Sequence, residues 1–572
     1  MATTEVKPPA PSGRRRLSFL SSVHPGVFYP SVAILTTVVL LAIIFPTRTG
    51  DALGSLQTNV ISGIGWYYTL VVSGFVIFAV LMGVSRFGDI TLGQDDDEPE
   101  FSLKAWFAML FAAGMGIGLV FWGAAEPLTF FTSPKPGTEG DQADLANAAM
   151  SQVFLHWGFH AWAIYVVVGL AMAYAIHRKG RSVSLRWTLE PIFGDRVKGR
   201  LGDVVDVIAV VGTVAGVATS LGLGVQQITA GIASLGIIDE PTDTIRVIVI
   251  VAITAVAIVS VVSGVGRGIK WLSNANLVLA GVFLVLIIIL GPTLFIFRDT
   301  VQNLGNYLAG IVPMSFNTSA LTGEEGLAWQ GAWTTFYWGW WMSWAPFVGV
   351  FIARISRGRT IREFVAGVLL VPTLVSALWF TALGGTAIMR QITDGDLVGE
   401  DGVTSSEGVL FNLLETLPAT GLLSGIAIVL VTIFFITSSD SGSLVVDMLA
   451  SGGDQNPPVW SRVMWAVLEG GVAISLLLAG GLGALQTGAI LTAAPFSVVM
   501  IAMAFATYKA LKAEHLEITR LARRARMREL EQEMTENITD GLVDNFDHHF
   551  AVPVDDRIET ALRDNEEQSP PA

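Results

Sequence analysis

Long apolar runs separated by short polar connections make up most of the chain. Charged residues divide residues 29–508 into about a dozen such runs, each long enough to cross a hydrocarbon core of about 30 Å. Because lipid cannot satisfy free peptide groups, and because no run alternates with the period of a barrel strand, each run is predicted to be a helix. The predicted spans begin near Tyr29, Trp66, Ala105, Gln152, Val204, Ile245, Leu272, Trp333, Ile361, Gly421, Val459 and Ile490.

Polar regions flank this membrane domain on both sides. Residues 1–28 are predicted to form a cytoplasmic N-terminal tail, residues 29–508 the membrane domain, and residues 509–572 a cytoplasmic C-terminal tail. The C-terminal tail begins with a predicted basic helix over residues 511–534. Its arginines either form a solvated helix face or dock on anionic lipid, where each basic residue contributes about 1 kcal/mol.

Composition and charge placement support an integral membrane protein. Only 14% of residues are charged, against about 25% in soluble proteins. Basic residues concentrate in the connections after the fourth, sixth and eighth spans, over residues 178–200, 267–270 and 354–362. The positive-inside rule therefore predicts a multi-pass protein of the plasma (inner) membrane with both termini in the cytoplasm. The net charge of −14 argues against a nucleic-acid partner, and the lack of cysteine excludes disulfides and thiol catalysis.

Two aromatic clusters lie within predicted helices. The eighth span carries a stripe that covers roughly a third of the helix circumference, formed by Trp333, Tyr337, Trp340, Trp341, Trp344 and Phe347. The fourth span carries Trp157, Trp162 and Tyr165. Three aromatic residues alone are typical of interfacial anchoring or ordinary packing. Two clusters on separate helices instead favour a cage for a methylated ammonium group.

Three alternating glycines, Gly114, Gly116 and Gly118, interrupt the third span. Each interior glycine costs about 1 kcal/mol relative to alanine. The pattern indicates either close packing of helices or an unwound stretch whose carbonyl groups face a ligand or cation. The third span, which is broken by glycines, and the eighth span, which is loaded with tryptophan, are thus the two irregular ones. They would begin two five-helix units, spans 3–7 and 8–12. Irregular helices at corresponding places in two halves are typical of a transporter's binding site.

Hydroxyl and carboxyl side chains within the spans are further candidates. Thr437 and Ser438, together with free carbonyl groups of the glycine stretch, would suit Na⁺, although hydroxyls in helices usually bond back to the preceding turn. The acids in or near spans are Glu126, Asp440 and Glu469. Intramembrane acids are functional by default, but each of these could also be solvated near an interface. The sequence shows no nucleophile–base pair or zinc motif, so an enzyme is not expected.

These residues resemble the betaine/choline/carnitine transporter (BCCT) family, and most closely its sodium-coupled glycine-betaine symporters. The resemblance covers the membrane domain. It rests on the tryptophan segment with the following residues 353–363, the glycine stretch, the Trp-x4-Trp-x2-Tyr cluster, and Phe434-x2-Thr437-Ser438. It implies an all-α membrane protein with about 12 transmembrane helices, of which two precede a LeuT-like pair of inverted five-helix repeats. It also implies a homotrimer.

The resemblance assigns candidate residues position by position. The implied aromatic cage consists of Trp157, Trp162, Tyr165, Trp340, Trp341 and Trp344, with Ala113, Met115 and Phe121 at its border and Ser220 nearby. One implied sodium site consists of the backbone of Ala112 and Met115 with Phe434, Thr437 and Ser438. The second would use Thr213, the backbone of the glycine stretch and Phe347. Val217 stands where these symporters place a threonine, which puts the second site in doubt.

The expected function is symport of Na⁺ with a quaternary-ammonium compatible solute, glycine betaine first, in osmoprotection. Na⁺ is the coupling ion, and no other cofactor is expected. The alternatives are a sodium-independent or proton-coupled transporter or exchanger of ectoine, choline, carnitine or dimethylsulfoniopropionate. A protein of a different class, a membrane osmosensor or channel, would not accumulate its ligand against a gradient.

Overall fold

The computed structural model describes residues 23–114, 116–263, 266–398, 406–546 and 552–567. It describes the backbone alone at residues 111–114, 263, 266–271, 552–553 and 565–567. The described residues are mainly helical, and one isolated antiparallel bridge joins Thr91 and Thr360. The chain divides into two compact units, Met1–Lys509 and Ala510–Ala572.

Nineteen α-helices occur in the described ranges. In chain order they are α1 Pro25–Ile44, α2 Pro46–Val84, α3 Leu103–Gly114, α4 Ile117–Thr132, α5 Gln142–Trp157, α6 Phe159–Ala173, α7 Glu190–Phe193, α8 Arg200–Ser234, α9 Asp243–Ser263, α10 Gly266–Leu290, α11 Thr293–Ser315, α12 Gly323–Gln330, α13 Phe336–Ile355, α14 Ile361–Phe380, α15 Thr386–Thr393, α16 Val409–Glu415, α17 Thr420–Ala450, α18 Val459–Phe546 and α19 Val552–Glu567. Within the second unit, residues 511–534 are helical, as the sequence predicts.

Nine helical stretches in the described part of the chain are long and apolar enough to cross a membrane. The all-α, multi-span class is therefore confirmed, whereas the number of 12 spans stays a prediction. The difference has a structural cause. The third predicted span is divided between α3 and α4, and the last two predicted spans both fall within α18, whose backbone leaves helical geometry at Gly480 and Gly481. The eighth predicted span, α13, is long enough but is not among the nine, because its tryptophans lower its hydropathy.

The two spans that the sequence marks as irregular are irregular in the structure. Helix α3 ends at Gly114 and α4 begins at Ile117, and Gly116 is extended with φ −143° and ψ −177°. A π-helical turn, Gly331–Thr335, leads into α13. Broken helices at membrane depth are tolerated where the freed backbone lines a cavity, so the break between α3 and α4 indicates where a ligand would bind.

Helices α4, α6, α8, α13 and α17 form the centre of the membrane domain. Helix α13 packs against α6 and α8, and α17 packs against α8 and α10. The approach of α8 to α13 requires glycine, because a Cβ on Gly216 would lie 3.1 Å from the backbone nitrogen of Trp344. The tryptophan stripe of α13 is thereby held in the interior of the helix bundle.

The acidic segment before α3 is paired with basic residues at and just before the start of α14. Asp97 lies 3.2 Å from Arg357, and Asp89 lies 3.0 Å from Arg362. The Arg357 guanidinium, which donates hydrogen bonds to Asp97, holds the pKa of that carboxyl below its usual value. These two carboxylates thus form ion pairs that position the start of α14.

Candidate substrate and ion site

Six aromatic residues predicted for the cage line one small cavity of about 30 Å³. They come from the end of α5, from α6 and from α13, and they are Trp157, Trp162, Tyr165, Trp340, Trp341 and Trp344. The remaining lining residues are Gly116, Gly118, Leu119, Ala161, Val348 and Ser376. The structure therefore brings the two sequence clusters together, although more than 170 residues separate them along the chain.

The helical spacing on α13 produces a stack of parallel rings. Trp340 stacks on Trp341 with centroids 4.5 Å apart and on Trp344 at 6.1 Å. Trp157 meets Trp341 edge to face, with centroids 4.9 Å apart and an interplanar angle of 72°. Offset-stacked and edge-to-face pairs are the arrangements that aromatic rings prefer.

The glycine break of α3 and α4 lies directly against this cage. A Cβ on Gly118 would lie 2.3 Å from Cη2 of Trp340 and 3.1 Å from Cη2 of Trp157. Only glycine lets the first turn of α4 come this close to both rings. The backbone amides at the start of α4 are therefore next to the aromatic cavity, where a helix N-terminus favours negative charge.

A second cavity of about 150 Å³ adjoins the first and shares Gly116, Trp344 and Val348 with it. Its polar side chains are Thr437, Ser438 and Ser441 of α17 and Ser273 and Asn276 of α10, and its other lining residues are Leu277, Phe347, Phe351 and Phe434. Four residues predicted for ion binding, Phe347, Phe434, Thr437 and Ser438, thus line this cavity.

Ser273 and Asn276 were not among the residues predicted from the sequence. Asn276 is buried, and its Oδ1 has no hydrogen-bond partner in the described structure. The signal was available as two polar residues one helical turn apart within an otherwise apolar span. It could not be separated from ordinary helix packing until α10 was placed beside α17.

Other predicted residues are placed away from both cavities. Phe121 packs on Trp122 with ring centroids 4.8 Å apart. The hydroxyls of Ser220 and Thr213 donate to the carbonyl groups of Gly216 and Ala209, at 3.2 and 2.7 Å. None of these three residues lines either cavity, and the two α8 hydroxyls bond back within their own helix.

Three predicted positions lie in the glycine stretch itself. Ala112 and Ala113 belong to α3, where the backbone alone is described, and Met115 lies outside the described residues. Val217 of α8 faces α17, since a Cβ on Gly442 would lie 3.1 Å from its Cγ2.

A fully buried polar network lies behind the cage. Glu126 of α4 accepts hydrogen bonds from the indole of Trp157 at 2.7 Å and from the hydroxyl of Tyr337 at 2.5 Å. Its other oxygen lies 2.7 Å from Nδ1 of His156. Trp341 is fixed from the same side, because its indole donates to the backbone carbonyl of His156 at 2.9 Å.

Both cavities are lined by neutral side chains throughout the described part of the chain. The first offers π-faces, which attract methylated cations, and the second offers hydroxyl and amide oxygens, which suit hard cations. Ligand cavities at broken helices within a multi-span helical bundle are characteristic of membrane transporters. The fold and site therefore place the protein in that class.

The particular family follows from comparison with known proteins. The family model described as "BCCT, betaine/carnitine/choline family transporter" matches residues 26–516. The chain belongs to this family, and its members are transporters rather than enzymes.

Three relatives cover most of this chain and of their own length. An uncharacterized transporter of Mycobacterium tuberculosis is 50% identical over 498 residues, 86% of this chain and 83% of the relative. The glycine betaine transporter OpuD of Bacillus subtilis is 43% identical, over 86% of this chain and 95% of its own. The ectoine/hydroxyectoine transporter of Virgibacillus pantothenticus is 39% identical, over 84% and 95%.

Proposed function

We propose that this protein is a secondary active symporter that couples Na⁺ entry to uptake of a quaternary-ammonium compatible solute, with glycine betaine as the substrate. The observation that carries the proposal is the convergence of six aromatic residues from three helices on one cavity free of charged lining residues. Relatives from several bacteria that are named glycine betaine transporters support the choice of substrate.

The trimethylammonium group binds between the rings of α13 and Trp157. Each good ring contact with a desolvated methylammonium contributes about 2 kcal/mol, and an aliphatic amino acid would not need so many rings. The carboxylate of the substrate points away from the rings, towards Gly116 and the N-terminus of α4, where free amides and the helix dipole favour an anion.

Sodium binds in the adjoining cavity, at the hydroxyls of Thr437 and Ser438. That cavity shares Gly116 with the aromatic one, so an ion there would hold the glycine break against α17. A second sodium site would use Thr213, the backbone of the glycine stretch and Phe347, and Val217 supplies no oxygen to it. The hydroxyls of Thr213 and Thr437 both donate to their own helices, to Ala209 at 2.7 Å and to Ile433 at 2.9 Å, so each would turn to the ion through a lone pair.

Further parts of the proposal concern the whole assembly. We propose that the protein has two inverted five-helix repeats and cytoplasmic termini, forms a homotrimer and contacts anionic lipid through its basic tail, as the sequence predicts. Ectoine is the second candidate substrate, because one relative at 39% identity is named for it and its delocalised cation also fits a π-cage.

The test is uptake of radiolabelled glycine betaine into proteoliposomes with an inward Na⁺ gradient, and N-methylglucamine as the replacement cation. Accumulation above equilibrium only with Na⁺ would support the symporter. Equal uptake without Na⁺ would replace it with proton coupling or exchange. Equilibration without accumulation would indicate a channel, and uptake of ectoine alone would change the substrate.

A further inference from the structure

Helices α5 and α6, which carry three of the six cage rings, are separated by a break at Gly158. Helix α5 ends at Trp157 and α6 begins at Phe159, and Gly158 between them is non-helical, with φ −95° and ψ −135°. Trp157 lies on one side of the break, and Trp162 and Tyr165 lie on the other. The geometry of the break therefore sets the distance between Trp157 and the two rings of α6.

Two backbone groups beside the break bond to side chains of other helices. On the cage side, the carbonyl group of His156 accepts the indole N–H of Trp341 at 2.9 Å. On the side of α11, the N–H of Phe159 is donated to the hydroxyl oxygen of Tyr307 at 3.2 Å. Buried peptide groups without a partner are costly, so these two hydrogen bonds stabilise the break.

Tyr307 fits closely against the break. Its side chain is buried, and its ring packs on those of Phe154 and Phe159, with centroids 6.1 and 5.8 Å apart. A Cβ on Gly158 would lie 3.0 Å from the hydroxyl oxygen of Tyr307. A larger residue in place of Gly158 would push α11 away, so the glycine is required for this contact.

A second hydrogen bond joins α6 to α11. Nε2 of His160 lies 2.8 Å from the hydroxyl oxygen of Ser315, and this hydroxyl donates its own hydrogen to the carbonyl group of Ile311 at 2.6 Å. The Ser315 oxygen is therefore the acceptor, and His160 donates from Nε2. Helix α11 thus holds the first turn of α6 at two places, although none of its described residues lines either cavity.

We propose that Tyr307 is a positioning residue that makes the aromatic cage selective for the size of the ammonium head group. It acts through the break at Gly158, because its hydroxyl fixes where α6 begins and hence how far Trp157 stands from the rings of α6. The inference rests on the proposed function, since it assumes an onium ligand in the cage. A cage that is ordered in advance spares the ligand the ordering of a side chain, which corresponds to about threefold to tenfold in affinity.

The experiment compares glycine betaine with N,N,N-triethylglycine, which has the same charges and a bulkier head group. Dissociation constants of both are measured by tryptophan fluorescence on the purified full chain. In Tyr307→Phe, which removes only the hydroxyl, the constant for betaine should rise about threefold to tenfold. The constant for the triethyl compound should stay within about twofold, because a looser break accommodates the wider head group.

The matched control is Tyr68→Phe. Tyr68 is fully buried, and its hydroxyl also bonds to a backbone group of another helix, the carbonyl of Ile490 at 2.6 Å, but it lines neither cavity. Its loss should lower thermal stability, as Tyr307→Phe does, and leave the ratio of the two dissociation constants at the wild-type value. A loss of both ligands by the same factor in Tyr307→Phe, or an unchanged ratio, would overturn the proposal and leave a structural role only.

If Tyr307→Phe does not fold, Ser315→Ala carries the test. This variant removes the acceptor of His160 and so loosens α6 at the other contact with α11. It should shift the ratio in the same direction, and an unchanged ratio would overturn the proposal. A wild-type protein that binds neither compound would instead refute the proposed function.

Discussion

Two neighbouring cavities in the same bundle differ in the chemistry of their walls. The aromatic cavity is lined by six rings from α5, α6 and α13, and the polar cavity by hydroxyls and an amide from α10 and α17. They share Gly116, Trp344 and Val348. Large soft cations prefer π-faces and small hard cations prefer oxygens. One broken helix thus borders two adjoining cavities whose walls suit different ligand chemistry.

Loss of one ring from the aromatic cavity should have the largest effect on betaine affinity. Trp341→Ala removes the ring that contacts Trp157, Tyr165 and Trp340. Loss of a good cation–π contact of about 2 kcal/mol raises the dissociation constant of glycine betaine about thirtyfold. Equilibrium binding to the purified protein measures this change. Trp66→Ala, at a tryptophan that is 56% exposed on α2, is the control and should leave affinity unchanged.

A smaller effect is expected from crowding the boundary of the same cavity. Gly118→Ala places a methyl group 2.3 Å from Trp340, and overpacking costs about 1–3 kcal/mol. Betaine affinity should fall about tenfold, while the Na⁺ concentration for half-maximal uptake stays the same. Gly74→Ala, where a Cβ meets nothing within 4 Å, is the matched control. Equal affinities for the two variants would show that α4 does not border the ligand.

The polar cavity can be altered separately. Ser438→Ala removes one oxygen worth about 1 kcal/mol, so the Na⁺ concentration for half-maximal uptake should rise about fivefold. Thr432→Ala removes a hydroxyl from the same helix that bonds back to Ile428 and does not line the cavity. A similar shift in both variants would argue against an ion at Ser438.

The smallest effect is expected outside both cavities. Asp97→Asn breaks an ion pair with Arg357 and should leave both ligand affinities unchanged. Because Arg357 lowers the pKa of Asp97 in the folded state, the stabilising contribution is present above the unfolded pKa and is lost as pH falls through the folded value. Thermal unfolding between pH 6 and 3 should therefore show a slightly smaller acid destabilisation in the variant. An identical profile would mean that the pair contributes nothing to stability.

The sequence predicts which aromatic residues share a cavity, but not the buried hydrogen bonds that hold them in place. Helical periodicity places Trp340, Trp341 and Trp344 on one face, so their common cavity follows from local geometry. Glu126 and its partner Tyr337 are 211 residues apart, and no local pattern connects them. Thr213 and Ser220, which the family resemblance implies as site residues, have hydroxyls bonded to their own helix, and their role in binding stays a prediction.

Symport requires coupling between the two cavities. The most direct measurement is the dissociation constant of glycine betaine over a series of Na⁺ concentrations, paired with that of Na⁺ over a series of betaine concentrations. Because the cavities share Gly116, Trp344 and Val348, we predict that each ligand lowers the dissociation constant of the other, and by the same factor. Betaine binding that is independent of Na⁺ would contradict it.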